Sequence, residues 1–301
     1  MNALYPIQHS NFYNLCLKVF HEIRFPMHFS NFSKKMYGNF THTFLLIYKE
    51  RLNVSYRRFI EIASENNLQR MLCIKRMPHF TTLQKFMKKM NKFIFEKMVR
   101  ACYKIMNLTK MNASIDGTGF SNTNPSHHYI KRVDSIKVRN YTKTVFLTDN
   151  KTKLILNIAT HSDHSHETLD FIPLVRELKN CLSLILADKG YDSVKNRMYC
   201  WKNNIEVHIP VREWKQLRQR YGHKVYIKNK YRKRAFKLFD KGKYNYRNLV
   251  ESVNSAIKRT LGGYVNSRYP EQQQKQVTLK AIAYNLEVMN RCINIWLFIY
   301  C

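Results

Sequence analysis

The sequence has few acidic residues and no long apolar run, and both features exclude some classes of function. Only 20 of the 301 residues are Asp or Glu, against 52 Lys or Arg, which gives a formal net charge of +32. So basic a chain repels itself unless a polyanion binds it, and nucleic acid is the expected partner. The longest apolar stretch, 292–301, is about half of the ~18 residues that a membrane-spanning helix needs, so no membrane partner is expected.

Cysteine, glycine and proline are scarce or scattered as well. The seven cysteines are widely spaced and form no C-x-x-C pair, which argues against a disulfide framework or a zinc ribbon. With 8 Gly and 7 Pro there is no Gly/Pro-rich linker, whereas a hydrophobic share of 45% is enough for a folded core. The N-terminal residues lack the charged-then-apolar order of a secretory signal. We therefore expect a folded, cytoplasmic, nucleoid-associated protein.

Residues 1–110 have a helical pattern and are predicted to form a DNA-binding N-terminal region. Apolar residues recur at a spacing of three to four through 59–63 and 93–105. Between these segments Thr81 or Thr82 is predicted to cap a helix that begins near Leu83. The pattern fits a helix-turn-helix, and it equally fits a solvated helix face. The lysines that would contact DNA are Lys85, Lys88 and Lys89.

The pattern changes at residue 111, where short apolar runs replace the helical period and predict an α/β domain over 111–301. We predict strands over 113–120, 144–148, 154–159, 182–187 and 206–209, with helices over 169–178 and 194–201. Three strands followed by alternating helices and strands indicate a mixed sheet that combines hairpins with crossovers.

A strongly basic block lies between this pattern and the next helix. Residues 211–243 contain 13 Lys or Arg and two acids, with aromatic residues interleaved. Such a mixture suits a groove that holds a phosphate backbone and stacks on bases, although a solvated basic loop has the same composition. A loop of this length is unusual in a compact domain unless it has a function. The candidate DNA-binding residues here are Arg218, Arg220, Lys230, Arg232, Lys233 and Arg234.

Two aspartates follow apolar runs of the predicted sheet. Asp116 follows Ala-Ser-Ile and precedes glycine, and Asp188 follows Leu-Ile-Leu-Ala and precedes Lys-Gly-Tyr. Strand ends are where α/β sheets place their chemistry, but a lone Asp in such a position is commonly a turn or cap residue. The matching context of the two residues favours a shared functional role.

The segment after the basic block predicts an amphipathic helix that starts at Tyr244. At about 100° per residue, four polar residues fall on one narrow stripe. They are Tyr244, Arg247, Glu251 and Lys258. The apolar residues on the opposite side are Leu249, Val250, Val253 and Ile257. An ordinary exposed face with an Arg–Glu pair would also have this pattern.

These residues resemble a known signature. The spacing Y-(2)-R-(3)-E-(6)-K is similar to that of bacterial and archaeal insertion-sequence transposases of the DDE superfamily, in groups four and five. Asp116 in IDGTGF resembles the first catalytic Asp of that family, and Asp188 in LADKGYDS resembles the second. Residues 281–285 are similar to its closing helix, and the likeness covers roughly 78–290. Three motifs in the right order are far more specific than any one of them.

The resemblance implies an RNase H-like catalytic domain with Asp116, Asp188 and Glu251 as a metal-binding triad. Three neighbouring carboxylates repel one another unless cations neutralise them, and oxygen ligands favour Mg²⁺ or Mn²⁺, here as two ions. It further implies that Arg247 and Lys258 hold DNA phosphates and that Tyr244 contacts a strand end. The implied partners are the terminal inverted repeats and target DNA, bound by a homodimer. A nuclease of the same fold and a non-catalytic DNA-binding relic remain alternatives.

Other titratable residues are given structural roles. The spacing of His161, His164 and His166 is compatible with a metal cluster, but their polar neighbours favour a loop that caps the next helix. The family often has a His-Asp pair where this chain has His166 and Glu167, so Glu167 is assigned no role. Asp192 is predicted to be a helix cap.

Overall fold

The computed structural model describes residues 5–32, 35–122, 141–162, 166–212 and 229–300. Arg218, Arg220 and His164 lie outside these ranges. The helices are α1 (Tyr5–Glu22), α2 (Asn39–Leu52), α3 (Tyr56–Glu65), α4 (Leu68–Met71), α5 (Phe80–Lys89), α6 (Lys92–Ile105), α7 (Phe171–Arg176), α8 (Val194–Lys202), α9 (Lys230–Lys237), α10 (Lys241–Asn245), α11 (Asn248–Leu261) and α12 (Pro270–Tyr300). The strands are β1 (Met111–Asn122), β2 (Tyr141–Asp149), β3 (Ile155–His161), β4 (Leu182–Ala187), β5 (Glu206–His208) and β6 (Tyr264–Val265).

The chain forms two compact units. The first comprises Met1–Asn107, Gly119–Thr142 and Ala256–Cys301, and the second comprises Leu108–Thr118 and Lys143–Ser255. The predicted domain boundary at residue 110 stays a prediction.

The first unit is built around the C-terminal helix. The predicted helical character of the N-terminal region is confirmed, since α1 to α6 fill most of its described residues. Helix α12 packs against α1, α2 and α6, and the buried side chains between these helices are mostly aromatic or aliphatic. No helix among the described residues is long and apolar enough to cross a membrane.

Helix α5 begins earlier than its sequence pattern predicts. It starts at Phe80, and His79 occupies the N-cap position without a side-chain cap bond. The Thr81 hydroxyl lies 2.8 Å from Nδ1 of His79, so it pairs with the imidazole. The prediction that Thr81 or Thr82 caps a helix from Leu83 is therefore wrong, although the predicted basic helix itself is present.

The sheet has the predicted mixed character. Its order is β3-β2-β1-β4-β5, and β6 pairs with the far end of β1. Strands β2 and β3 are antiparallel, whereas β4 is parallel to both β1 and β5. Helices flank the strands in the order expected. Each end of the five predicted strands lies within three residues of its observed position. The predicted α/β fold, a mixed sheet flanked by helices with an N-terminal helical region, is confirmed.

The helix predicted from Tyr244 is interrupted. The short helix α10 ends at Asn245 and α11 begins at Asn248. Across the join the amides of Tyr246, Arg247, Leu249 and Val250 each donate to the carbonyl three residues earlier, which is a tighter turn than the α-helix. The prediction of one continuous helix is wrong, so helical angles counted from Tyr244 do not describe Tyr244 and Arg247. The apolar face of α11 is as predicted, because Val250, Val253 and Ile257 are buried.

Candidate active site beside two parallel strands

The register of β1 and β4 brings the two predicted catalytic aspartates side by side. Ile115 on β1 pairs with Ala187 on β4, so Asp116 and Asp188 are the next residues along two parallel strands. Strand β4 ends at Ala187, but β1 continues to Asn122. Asp116 therefore lies inside β1, as the predicted range 113–120 has it, at the point where β1 loses β4 as its neighbour. The expectation that Asp116 follows the end of its strand is wrong.

Asp116 lies in a largely buried environment that disfavours its charge. Its side chain is 19% exposed, and Nδ2 of Asn254 donates a hydrogen bond of 3.1 Å to its Oδ2. The pKa of Asp116 is raised to about 6, chiefly by burial and to a smaller extent by the carboxylates of Glu167 and Asp188, while Arg247 opposes the shift. The raised pKa therefore reflects mainly the loss of solvent around this carboxylate.

Asp188 stabilises the turn that follows β4. Its Oδ1 accepts a 2.6 Å hydrogen bond from the amide of Gly190, capping the 3₁₀ turn Lys189–Tyr191. The hydroxyl of Thr168 and the guanidinium of Arg212 donate to carbonyls of the same turn at 2.7–2.9 Å. The turn is thus held by its own capping bond and by two neighbouring side chains. The capping bond uses Oδ1 of Asp188 and not Oδ2.

Arg247 connects the third predicted catalytic residue to the first. Glu251 lies in the first turn of α11, and its carboxylate forms an ion pair with the guanidinium of Arg247. The same guanidinium lies 3.9 Å from Oδ1 of Asp116. One cation therefore serves two carboxylates from two different elements.

Glu167 is a neighbour of this site that the sequence analysis missed. Its carboxylate accepts a 3.2 Å hydrogen bond from the hydroxyl of Tyr191 and lies 3.5 Å from Nζ of Lys143. It also lies against Gly117, where a Cβ atom would overlap with it. Glycine directly after Asp116 and an acid in place of the His-Asp pair are the two signals that could have identified it.

Tyr244 and Lys258 occupy different surroundings. Burial raises the pKa of Tyr244, and the nearby carboxylates of Asp188 and Glu251 add to the shift while Arg247 opposes it. Its ring lies 5.2 Å from that of Phe239. Lys258 lies two turns after Glu251 on α11, with its ammonium 5.8 Å from the ring centroid of Phe120.

The histidines near 161–166 form no metal cluster among the described side chains. His161 Nε2 lies 2.7 Å from the carboxylate of Asp170, and His166 is exposed. Nowhere in the described ranges do three His, Cys, Asp or Glu side chains stand close enough to hold a metal ion in this conformation. At the Asp116 site this is consistent with the position of Arg247, whose cation already pairs with Glu251 and lies beside Asp116.

Asp192 anchors the basic helix α9. Ser193 is the residue that caps α8, so the prediction that Asp192 is a cap is wrong. The fully buried Asp192 carboxylate accepts a 3.0 Å hydrogen bond from Nε of the buried Arg197 and pairs with Arg232 at 3.3 Å. Arg232 thus has a structural contact in addition to any contact with DNA.

The remaining described basic residues proposed for DNA lie on two exposed helix faces. On α9, Lys233 is exposed and the Arg234 guanidinium lies 4.9 Å from the Trp201 ring, while the Lys230 ammonium is 5.3 Å from the Tyr231 ring. On α5 the three predicted lysines are all exposed. The Lys89 ammonium lies 4.1 Å from the centroid of Phe29.

Comparison with known proteins identifies the family. A family model described as the transposase DDE domain matches residues 111–286, which is 176 of the 301 residues. The cryo-EM structure of a piggyBac transposase synaptic complex with hairpin DNA is similar at 11% identity and a TM-score of 0.48, over 94% of this chain and 72% of that chain. No curated protein matches the sequence significantly. The matched domain contains Asp116, Asp188 and Glu251, and the chain belongs to the family of transposases with a DDE domain.

Proposed function

We propose that this chain is an insertion-sequence transposase that cleaves DNA at the ends of its element and joins the freed 3′-hydroxyls to target DNA. It would bind the terminal inverted repeats as a homodimer, and one site would serve both hydrolysis and strand transfer. The observation that carries the proposal is that Asp116 and Asp188 take neighbouring positions on two parallel strands and that one arginine connects Glu251 to Asp116. Asp116, Asp188 and Glu251 come from β1, the end of β4 and α11, and Arg247 pairs with Glu251 beside Asp116.

The donor set fits Mg²⁺ or Mn²⁺. All three side chains offer only carboxylate oxygens, which these ions prefer. Burial, together with the carboxylates of Glu167 and Asp188, raises the pKa of Asp116, and a bound divalent cation would stabilise the charged form of this group. Asp116, Asp188 and Glu251 would hold the metal, as two ions. When bound, the metal lowers the pKa of a coordinated water or hydroxyl and stabilises the oxygen that leaves phosphorus.

The protein's own cations would hold and orient the DNA strand. Arg247 would hold a phosphate of the strand, since its guanidinium suits bidentate contact with phosphate. Tyr244 is close to the same carboxylates and would contact the strand end, and Lys258 would hold a phosphate further along α11. The exposed cations of α9 and Lys89 of α5 would contact double-stranded DNA, where each phosphate contact adds to the salt-dependent affinity.

The test is cleavage of a supercoiled plasmid that carries the DNA flanking the gene on both sides. The reactions contain Mg²⁺, Mn²⁺ or EDTA, and the products are mapped to the nucleotide. We expect metal-dependent cuts at two defined ends, and we expect Glu251→Gln to abolish them. Glu61→Gln is the matched control, because Glu61 is an exposed acid paired with Arg58 on α3.

Each other outcome contradicts the proposal in a recognisable way. Metal-dependent nicks scattered over the plasmid would identify a general nuclease of the same fold. Specific binding without cleavage in any metal would identify a DNA-binding relic. End cleavage by the Glu251→Gln variant would contradict the assignment of Glu251 to the catalytic triad.

A further inference from the structure

The first unit contains a large open cavity that is lined by residues from 49–88 and 266–276. Its volume is about 910 Å³, at the upper end of the range for small-molecule sites. The wall is built from α5, from the first turns of α3 and α12, from the last turn of α2 and from the turn before α12. Its basic lining residues are Lys49, Arg57, Lys85, Lys88 and Arg268.

The cavity is positively charged. Five Lys or Arg residues line it, and none of its described lining residues is acidic. One of them, Lys49, is only 3% exposed and pairs with Glu50 at 2.7 Å. The fully buried Lys280 lies 3.6 Å from the same carboxylate, so two buried cations share one buried acid. Lys280 does not line the cavity, so the positive charge that favours an anionic ligand is that of the five lining Lys and Arg residues.

The helices add to the positive potential at the same place. The first turns of α3, α5 and α12 all line the cavity, and these helices have 10, 10 and 31 residues. The N-terminus of a helix carries a partial positive charge and presents amides that suit phosphate oxygens.

Hydrogen bonds hold the floor of the cavity in place. The Oε1 of Gln276 accepts bonds of 3.0–3.2 Å from the amides of Asn266 and Ser267 and from the Ser267 hydroxyl. Its Nε2 donates to Glu50 at 3.2 Å. Gln276 is 3% exposed, so one buried amide fixes the turn before α12 to α2. The protein's own hydrogen bonds therefore fix this part of the cavity wall.

Aromatic rings are interleaved with the cations. The Lys49 ammonium lies 4.7 Å from the centroid of Tyr56, and the Arg57 guanidinium lies 5.1 Å from that of Phe80. Tyr269, directly before α12, is 64% exposed. An exposed tyrosine beside cations provides a surface on which a base stacks while its phosphate is neutralised.

We infer that this cavity binds unpaired nucleotides of a DNA strand, with the phosphates on its cations and a base on Tyr269. The inference rests on the proposed function for the identity of the polymer. The major groove alone of a DNA duplex is about 12 Å wide, so the whole duplex is too wide for a cavity of about 910 Å³. One unpaired strand is narrow enough to enter it. The exposed Arg57, Lys85, Lys88 and Arg268 provide contacts for the phosphates on either side of the bound nucleotide.

Fluorescence anisotropy of the full chain tests this inference without metal. The probes are a blunt duplex and the same duplex with four unpaired thymidines at its 3′ end. We expect the overhang to bind about tenfold more tightly, the order of one stacked base. Tyr269→Ala should remove that preference and leave blunt-duplex affinity unchanged, and the double variant Lys85→Gln, Arg268→Gln should reduce the preference and the salt dependence of overhang binding. The double variant Arg76→Gln, Lys97→Gln is the charge-matched control, because both residues are exposed and neither lines the cavity.

Equal affinity of the wild type for both probes would overturn the inference, and so would a preference that survives Tyr269→Ala. If free thymidine monophosphate competes for overhang binding as well as a tetrathymidylate does, the cavity binds a free nucleotide, and the inference that it binds a DNA strand is wrong. Circular dichroism melting of each variant excludes misfolding. Glu251→Gln should retain the overhang preference. Failure of end cleavage with that preference intact would contradict the proposed function alone, and cleavage without the preference would contradict the cavity assignment alone.

Discussion

The carboxylate of Glu167 lies against Gly117, in the space that a side chain on residue 117 would occupy. Glycine at this position therefore lets an acid from the turn after β3 come beside Asp116. The contact partner is the far end of a flexible side chain, so a methyl group on residue 117 would displace the carboxylate and not the backbone. Gly117 thus controls how much negative charge surrounds Asp116.

Gly117→Ala is expected to keep the fold and weaken Mg²⁺ binding. Displacement of Glu167 removes one negative charge from the site, as Glu167→Gln does, and the two variants should lose affinity to a similar extent. Because the clash is relieved by side-chain rotation, the free energy of unfolding should change by less than about 1 kcal/mol. Calorimetric titration with MgCl₂ and urea unfolding measure the two effects. Gly263→Ala is the control, since its Cβ would make only ordinary contacts with Lys258. Unchanged Mg²⁺ affinity in both test variants would show that Glu167 does not contribute.

Asp116→Asn is expected to stabilise the protein at pH 8 and to have little effect near pH 4. The pKa of Asp116 rises from 3.8 to about 6 on folding, so the folded state binds the proton more tightly than the unfolded state. Stability therefore falls as the pH rises from about 4 to about 6, and the loss persists above pH 6. Two pKa units correspond to about 3 kcal/mol, which is the upper limit of the gain. Urea unfolding in EDTA at both pH values measures it, and an equal difference at pH 4 and pH 8 would contradict the stated cause.

Mg²⁺ should reverse this ranking. A ligand that binds only the folded state adds stability in proportion to the logarithm of its concentration above Kd. The wild type should gain stability from 10 mM MgCl₂ at pH 8, whereas Asp116→Asn should gain little because a ligand is missing. Equal gains in both proteins would mean that the metal binds elsewhere.

Strands β1 to β5 were predictable from the sequence because each contains a short apolar run, whereas the two residues of β6 are too few to form a pattern. Asp188 followed from the same pattern, since β4 ends at Ala187. The break between α10 and α11 was not predictable, because hydrophobic periodicity is nearly the same for an α-helix and for one containing a tighter turn. The role of Asp192 was also hidden, because its partners Arg197 and Arg232 lie 5 and 40 residues away.

Glu167 and the basic cavity illustrate a second limit. The approach of Glu167 depends on the absence of a side chain at a residue 50 positions earlier, which no local pattern encodes. The cavity combines segments from residues 49–88 and 266–276, and each by itself resembles an ordinary solvated helix end. Of the three lysines that the sequence proposed on α5, Lys85 and Lys88 line the cavity, whereas Lys89 lies over Phe29.

Arg247→Ala is expected to bind Mg²⁺ more tightly in the absence of DNA. The Arg247 guanidinium pairs with Glu251 and lies beside Asp116, so it competes with a metal for the same carboxylates. An ion pair of this kind contributes up to about 1 kcal/mol, which corresponds to about fivefold in Kd. Calorimetric titration with MgCl₂ measures the gain, and Arg58→Ala, which removes an exposed pair with Glu61 on α3, is the control. DNA affinity should fall in the same variant because a phosphate contact is lost. A lower Mg²⁺ affinity would mean that Arg247 organises the carboxylates and does not compete for them.

Asp192→Asn is expected to be strongly destabilising although the residue is not in the triad. The substitution leaves Arg197, which has no exposed side-chain surface, without its buried counter-charge, and it also removes the charge that pairs with Arg232. Removal of one partner from a buried ion pair costs about 3–5 kcal/mol. The fall in the free energy of unfolding is measured by urea denaturation. Glu61→Gln breaks the exposed pair with Arg58 and should cost under about 1 kcal/mol.

Helix α9 should loosen in Asp192→Asn as well, because the Asp192 carboxylate pairs with Arg232 on that helix. Faster amide exchange over Lys230–Lys237 would report this loosening. A loss no larger than that of the control would mean that Arg197 stays solvated or finds another acceptor, and that Asp192 does not anchor the helix.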